Sequence, residues 1–263
     1  MTLAELATFD WIAVLAGFGV GAIVGMTGVG GGSLMTPLLI SVFKLNPAVA
    51  IGTDLWFAAV TKSGGAFAHH RHGHVDYRIA GLLLAGSIPA TAATIALMHT
   101  TGITKGWASA LTFSLGIALL LTAVTVAFRD VWSKVGLRLE RWIPQERKAA
   151  FTIACGVLLG VLVSLSSIGA GAVGATLILL LYPRIPAHRI VGTDIAHAVP
   201  LTLVAGIGHA TLGHLNWGLL GALLIGSLPG IWIGANLTRR MPERLVRGLL
   251  CISLVTAGVK VIS

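Results

Sequence analysis

Charge is scarce in this chain. Only 10% of its 263 residues are charged, against about 25% in a soluble domain. That scarcity excludes an ordinary soluble fold. Cysteine is almost missing. Cys155 and Cys251 both sit in apolar segments and read as small buried residues, neither a disulfide framework nor a metal site. No polar stretch is long enough to be a soluble domain. The longest, 129–148, has 20 residues and reads as a loop. The apolar run after residue 10 lacks a basic start, and its glycine motif continues into the next segment. It is therefore not expected to be a cleaved signal peptide.

What remains is apolar residues and glycine. Hydrophobic residues make up 56% of the chain and there are 34 glycines. Apolar stretches of about 20 residues, long enough to span a bilayer, recur along the length. A net charge of +9 would suggest nucleic acid in a soluble protein. Here the basic residues lie in loops between apolar segments, which points to lipid headgroups and orientation signals, with no nucleic acid partner.

A shift of 140 residues lays the chain on itself. Gly52-Thr53-Asp54-Leu55 falls on Gly192-Thr193-Asp194-Ile195, and His69 on His209. Gly73-His74-Val75-Asp76-Tyr77 falls on Gly213-His214-Leu215-Asn216-Trp217, and Gly86-Ser87-Ile88-Pro89 on Gly226-Ser227-Leu228-Pro229. With a slip of one, Gly30 and Gly32 fall on Gly169 and Gly171. Such self-similarity is the mark of an internal repeat. It divides the chain into a first repeat over 1–128, a basic cytoplasmic linker over 129–148 and a second repeat over 149–263. Each repeat holds apolar pieces at 10–27, 33–43, 47–69, 77–99 and 107–128, or at 149–167, 171–182, 187–209, 217–237 and 244–262. The second piece of each is too short to cross a core about 30 Å thick.

The basic residues choose between two topologies. If the first two pieces form one broken crossing, loop Lys and Arg divide about evenly between the two sides. If they form a hairpin returning to its own side, fourteen share one side, against Lys44, Lys105 and Lys260 on the other. The positive-inside rule prefers the hairpin and places the N-terminus outside. Each half then crosses three times net, so the repeats are inverted. The expected fold is an all-α polytopic membrane protein of two inverted repeats, each a glycine-broken helical hairpin plus three transmembrane helices. Inverted repeats with broken helices characterise secondary transporters, which bind substrate near the midplane at the repeat interface.

The breaks are the first candidate site. Gly28, Gly30, Gly31, Gly32 and Ser33 form one; Ser166, Ser167, Gly169 and Gly171 form the other. Irregular backbone at membrane depth must be satisfied by protein or water, and a helix N-terminus opening there attracts anions. The alternative is that the glycines only permit close helix packing. Thr53 and Thr193 join the candidate substrate set. Asp54 and Asp194, intramembrane acids at equivalent positions, are candidates for carrying coupling protons, or else they hold the glycine breaks by accepting N–H groups. Lys62, whose repeat counterpart is Thr202, neutralises substrate, pairs with Asp54, or snorkels. His69 and His209 read as helix-end residues bonding backbone or closing a gate, and His197 as a cavity residue one turn after Thr193. The run from His69 to His74 looks like a metal cluster, but His70 and His72 have no repeat partners. No metal or cofactor is expected.

The combination Gly25-x-x-Gly28-x-Gly30-Gly31-Gly32, Pro37, Gly52-Thr53 and His69-x-x-x-Gly73-x-Val75 resembles the TauE/SafE permeases, the sulfite exporter group. The resemblance covers essentially the whole chain. It implies transport of a small sulfur-containing anion (sulfite, a sulfonate or sulfoacetate) across a prokaryotic plasma membrane, in either direction. Relatives handling thiosulfate are associated with cysteines at the pathway; Cys155 and Cys251 lie outside the glycine motifs. The expected function is alternating-access transport, with proton coupling and homo-oligomerisation left open. The alternatives are a passive anion channel, a transporter of a non-sulfur organic anion, or a subunit of a larger complex. An intramembrane enzyme is not expected, because no nucleophile–base pair or metal constellation is visible.

Overall fold

The structure is a computed structural model that describes residues 10–27, 32–101, 105–237, 248, 251–252 and 254–259. Among these there are helices and no strands. Ten helices are delimited: α1 (Trp11–Thr27), α2 (Gly32–Ser41), α3 (Pro47–Arg71), α4 (Tyr77–Thr101), α5 (Lys105–Ala127), α6 (Arg129–Leu139), α7 (Gln145–Ser166), α8 (Ala172–Leu181), α9 (Ala187–Thr211) and α10 (Trp217–Leu237). Five stretches are long and apolar enough to cross a membrane: α4, α7, α9, Trp107–Ala127 of α5 and Trp217–Gly234 of α10. α3 matches α9 at 25 residues, about 37 Å of helix. α2 and α8 have ten residues each, about 15 Å, roughly half a bilayer core.

Helix directions follow from which residues touch. α1 and α10 run parallel with their backbones in contact. A methyl placed on Gly17 would lie 2.2 Å from the Leu223 carbonyl oxygen, and on Gly21 2.4 Å from that of Ser227. α7 and α4 repeat the arrangement: Gly156 stands 2.2 Å from the Leu83 oxygen and Gly160 2.4 Å from that of Ser87, measured the same way. Small residues four apart let membrane helices approach this closely, and dispersion then holds them. Each repeat's first helix is thus packed on the fourth piece of the other repeat. α3 and α9 lie between these pairs and run antiparallel, with Gly52 beside His214 and His209, Gly206 beside Leu55 and Trp56, and Gly192 beside His74 and His69.

α7 and α8 form a hairpin. The α7 helix stops at Ser167, which is left-handed at φ 58°. Gly169 and Gly171 follow at φ 131° and 142°, conformations that a side chain would strain. Past them the chain doubles back. The Tyr182 hydroxyl after α8 hydrogen-bonds Thr152 Oγ1 near the start of α7 at 2.8 Å.

The stretch 129–148 departs from the expected loop. Its first part is α6, and α7 begins at Gln145. Apolar residues recur at helical spacing there, at Val131, Val135 and Leu139, and Gly136 packs against the Leu179 carbonyl and Pro183. The apolar stripe is narrow and sits among Arg129, Lys134 and Arg138, so composition hides it.

Candidate functional site

The glycine break between α7 and α8 gathers the polar groups of both repeats. Lys62, on α3, reaches it: Nζ donates to the Ala170 carbonyl at 2.5 Å. Such a contact is what a broken helix in the membrane needs, because its carbonyls have no helical partner. Lys62 also lies close enough to Asp54 and Asp194 to interact electrostatically with both, without either carboxylate forming an ion pair with it. The lysine thus stands between two acids, one from each repeat, and bonds to neither.

Each acid is tied to the short helix of its own repeat. Asp54 Oδ2 accepts a hydrogen bond from Thr36 Oγ1 on α2. Asp194 lies beside the Gly171 backbone N–H, and its Oδ1 lies against Gly174, where a methyl would stand only 2.1 Å away. Glycine at 174 is the condition for the carboxylate to sit on the first turn of α8. Asp54, Asp194, Thr36 and Ser167 are all buried. The Ser167 hydroxyl faces Asp54 but makes no hydrogen bond of ordinary geometry. His197, on α9 and near Lys62, shares a 3.0 Å hydrogen bond through Nε2 with Ser87 Oγ on α4.

Four polar atoms of this cluster are buried without a hydrogen-bond partner in the protein: Asp54 Oδ1, Asp194 Oδ1, Ser167 Oγ and His197 Nδ1. Buried polar atoms are paired in the great majority of cases, since an unpaired one costs about 1–3 kcal/mol. All four lie in the cluster around Lys62.

Other expected residues lie elsewhere. Thr53 and Thr193 join the repeats: Thr193 Oγ1 accepts from the Asp76 N–H at 2.9 Å, and Thr53 Oγ1 from the Asn216 N–H at 3.2 Å. His209 Nε2 bonds the Ser164 carbonyl at 2.9 Å, and its Nδ1 lies 3.3 Å from that of His214. His69 has a buried Nδ1 without a partner and packs its ring on His74, 5.6 Å between centres. Ser33 is buried on the first turn of α2, and Ser166 Oγ bonds back to Leu162 and Ile168 within the break. Gly32 opens α2. Gly28, Gly30 and Gly31 lie outside the described residues.

Sequence reasoning missed Thr36, Ser87 and the Ala170 carbonyl. Ser87 stood in the repeated Gly-Ser-x-Pro motif and could have been weighed as a ligand to an intramembrane histidine. Thr36 follows Ser33 by three residues, hence on the same face. A backbone carbonyl carries no sequence signal. Among the described residues, no group of three or more His, Cys, Asp or Glu side chains is arranged to hold a metal ion.

The family described as sulfite exporter TauE/SafE matches residues 13–261. The chain is 38% identical over 252 residues to the probable membrane transporter protein YjnA of Bacillus subtilis (strain 168), covering 95% of this chain and 98% of that one. It is 27% identical over 248 residues to YdhB of the same organism, likewise described as a probable membrane transporter protein, covering 93% and 97%. A probable membrane transporter protein of Xylella fastidiosa (strain Temecula1 / ATCC 700964) is 25% identical over 233 residues, covering 84% of this chain and 82% of that one. No solved structure matches at a significant level.

Proposed function

Because the chain belongs to the sulfite exporter TauE/SafE family of membrane transporters, we propose that it is a secondary transporter of a small sulfur-containing anion: sulfite, a sulfonate or a sulfoacetate-like compound. The carrying observation is Lys62, a buried ammonium held on the Ala170 carbonyl of a glycine break. It is surrounded by side-chain atoms the protein leaves unpaired. An anion seated there would take the Lys62 charge, the Ser167 hydroxyl and N–H groups at the start of α8.

Alternating access is the mechanism the packing favours. Antiparallel α3 and α9, with parallel α1–α10 and α4–α7 pairs, are what inverted repeats require. The ends of the molecule support the same orientation. Arg189 pairs with Asp76 at 3.5 Å, and Arg184 and Lys148 with Glu140 at 3.0 and 3.2 Å, so these basic loops gather at one end. That end is cytoplasmic by the positive-inside rule, and the N-terminus lies outside. The glycine contacts join α1 to α10 and α4 to α7, so the bodies that rock are these mixed pairs, moving about the α3–α9 crossing. Asp54 and Asp194 supply the coupling protons.

The test is purified protein in liposomes with sulfite, sulfoacetate, taurine and a carboxylate control. Flux of one sulfur anion, lost in Lys62→Gln and reduced in Ser167→Ala, is expected. Flux unaffected by both substitutions would remove the break from the pathway, and a preference for the carboxylate would remove sulfur anions from the proposal.

A further inference from the structure

Asp54, Asp194 and Lys62 are the charged side chains of the site, 0%, 3% and 9% exposed. Two carboxylates against one ammonium leave one negative charge over, where an unbalanced charge is expensive to bury. Neutrality is restored when one carboxyl holds a proton. The remaining groups around the lysine leave this count unchanged. Thr36, Ser87 and Ser167 are hydroxyls. His197, the other titratable side chain near Lys62, is bonded through Nε2 to Ser87, and its buried Nδ1 has no acceptor for a second ring proton, so it counts as neutral.

The unpaired carboxyl oxygens sharpen the point. Asp54 is tied through Oδ2 to Thr36, and Oδ1 has no partner. Asp194 lies beside the Gly171 N–H, and its Oδ1 likewise has no partner. An ionised carboxylate repels an anion, whereas a protonated one donates a hydrogen bond to it. Two acids beside an anion site are at odds only while they are charged.

On the reading that an anion binds at this break, we propose that the site takes a singly charged anion together with one proton, shared out among Asp54, Asp194 and Lys62. Before binding, the site holds one protonated carboxyl, one carboxylate and one ammonium, with no net charge. After binding, it holds the anion, the ammonium and two protonated carboxyls, again with no net charge. The proton comes from solution and forms an O–H bond on the remaining carboxylate; no other bond is made or broken. A dianion brings two charges, and only one carboxylate remains to be protonated, so a net negative charge stays buried. The site therefore selects monoanions such as sulfonates and hydrogensulfite over sulfate.

Titration calorimetry of the purified protein, in two buffers of different ionisation enthalpy, reads the proton directly. Methanesulfonate is the monoanion probe and sulfate the dianion. Methanesulfonate is expected to bind with uptake of one proton, about tenfold or more tighter than sulfate. Asp194→Asn keeps one ionisable carboxylate and is expected to retain the uptake of one proton. In the double variant D54N/D194N the same count leaves the Lys62 amine uncharged until the anion arrives, so the one proton is expected to be taken up there instead. Should the double variant fail to fold, Asp194→Asn and the wild type decide. Methanesulfonate binding without proton uptake in the wild type, or sulfate binding as tightly, overturns the charge count and leaves the anion site standing. Failure of both probes to bind overturns the site and this inference with it.

Discussion

The two ends of the α3–α9 pair carry the same joint built from different chemistry. At one end the loop after α3 lies on α9, with the His74 carbonyl over Gly192, the Asp76 N–H on Thr193 and Asp76 paired with Arg189. At the other end the loop after α9 lies on α3, with the His214 carbonyl over Gly52 and the Asn216 N–H on Thr53. The first joint has an ion pair and a shorter hydrogen bond. The second has the closer backbone contact, 1.8 Å to an imagined methyl against 2.4 Å. One end is held by charge, the other by fit. On the proposed alternating-access mechanism, two closures must each be undone in turn, and these are the contacts it assigns to them.

The largest expected effect is on fit. Gly52→Ala drives a methyl into the His214 carbonyl, which is backbone and cannot swing aside. A loss of about 2–3 kcal/mol is expected, read as a lower thermal unfolding midpoint in detergent. Gly192→Ala is expected to cost less. Equal costs would mean that the two joints are mechanically alike.

Next comes the hydrogen bond. Thr193→Val removes the acceptor for the Asp76 N–H and is expected to cost about 1–2 kcal/mol. Thr53→Val, at the longer bond, is expected to sit at the lower end of that range. Thermal unfolding ranks the pair, and the reverse order would show that the ion pair, not the threonine, holds the first joint.

A smaller effect tests the charge. Asp76→Asn turns the first joint into a copy of the second. Its partner Arg189 is 41% exposed, so about 0.5 kcal/mol is expected, fading with added salt. The smallest effect is in pH. Partial burial, with the His188 and His72 rings alongside, holds His74 below the ordinary histidine value of 6.5. The undocked loop then binds protons more readily than the docked one. Docking is complete above 6.5 and weakens as pH falls through the lowered value. Hydrogen exchange at the Asp76 amide, corrected for its intrinsic rate, is expected to speed up on acidification. Burial also lowers His214, so exchange at Asn216 is expected to speed up on acidification as well.

The repeat was legible because the residues that match between the halves are those that touch across them. Gly52-Thr53 meets His214 and Asn216, and Gly192-Thr193 meets His74 and Asp76. The same matches put Thr53 and Thr193 in the candidate substrate set, and the structure has each accepting an N–H from the other half. What breaks the symmetry was harder to see. Lys62 faces a threonine in the repeat and sits among apolar neighbours, so no pattern announces that it reaches 108 residues along the chain to Ala170. The hairpin in the second repeat was readable from its glycines and short second piece together with the sidedness of the basic loops. α6 was not, because its apolar positions are set among Arg129, Lys134 and Arg138 and the stretch reads as polar by composition.

The exchange of helices between repeats bears on how the protein is made. α1 enters the membrane well before α10, yet among the described residues it is α10 that covers the face carrying Gly17 and Gly21, synthesised about two hundred residues later. Until then the grooves of α1 are filled by lipid. Neither repeat is a unit that can mature alone, so final assembly is deferred until almost the whole chain has left the ribosome. A chain cut within the basic linker should still assemble if both pieces share a bilayer, whereas a truncation that removes α10 leaves α1 without its surface and offers quality-control proteases a helix that never docks.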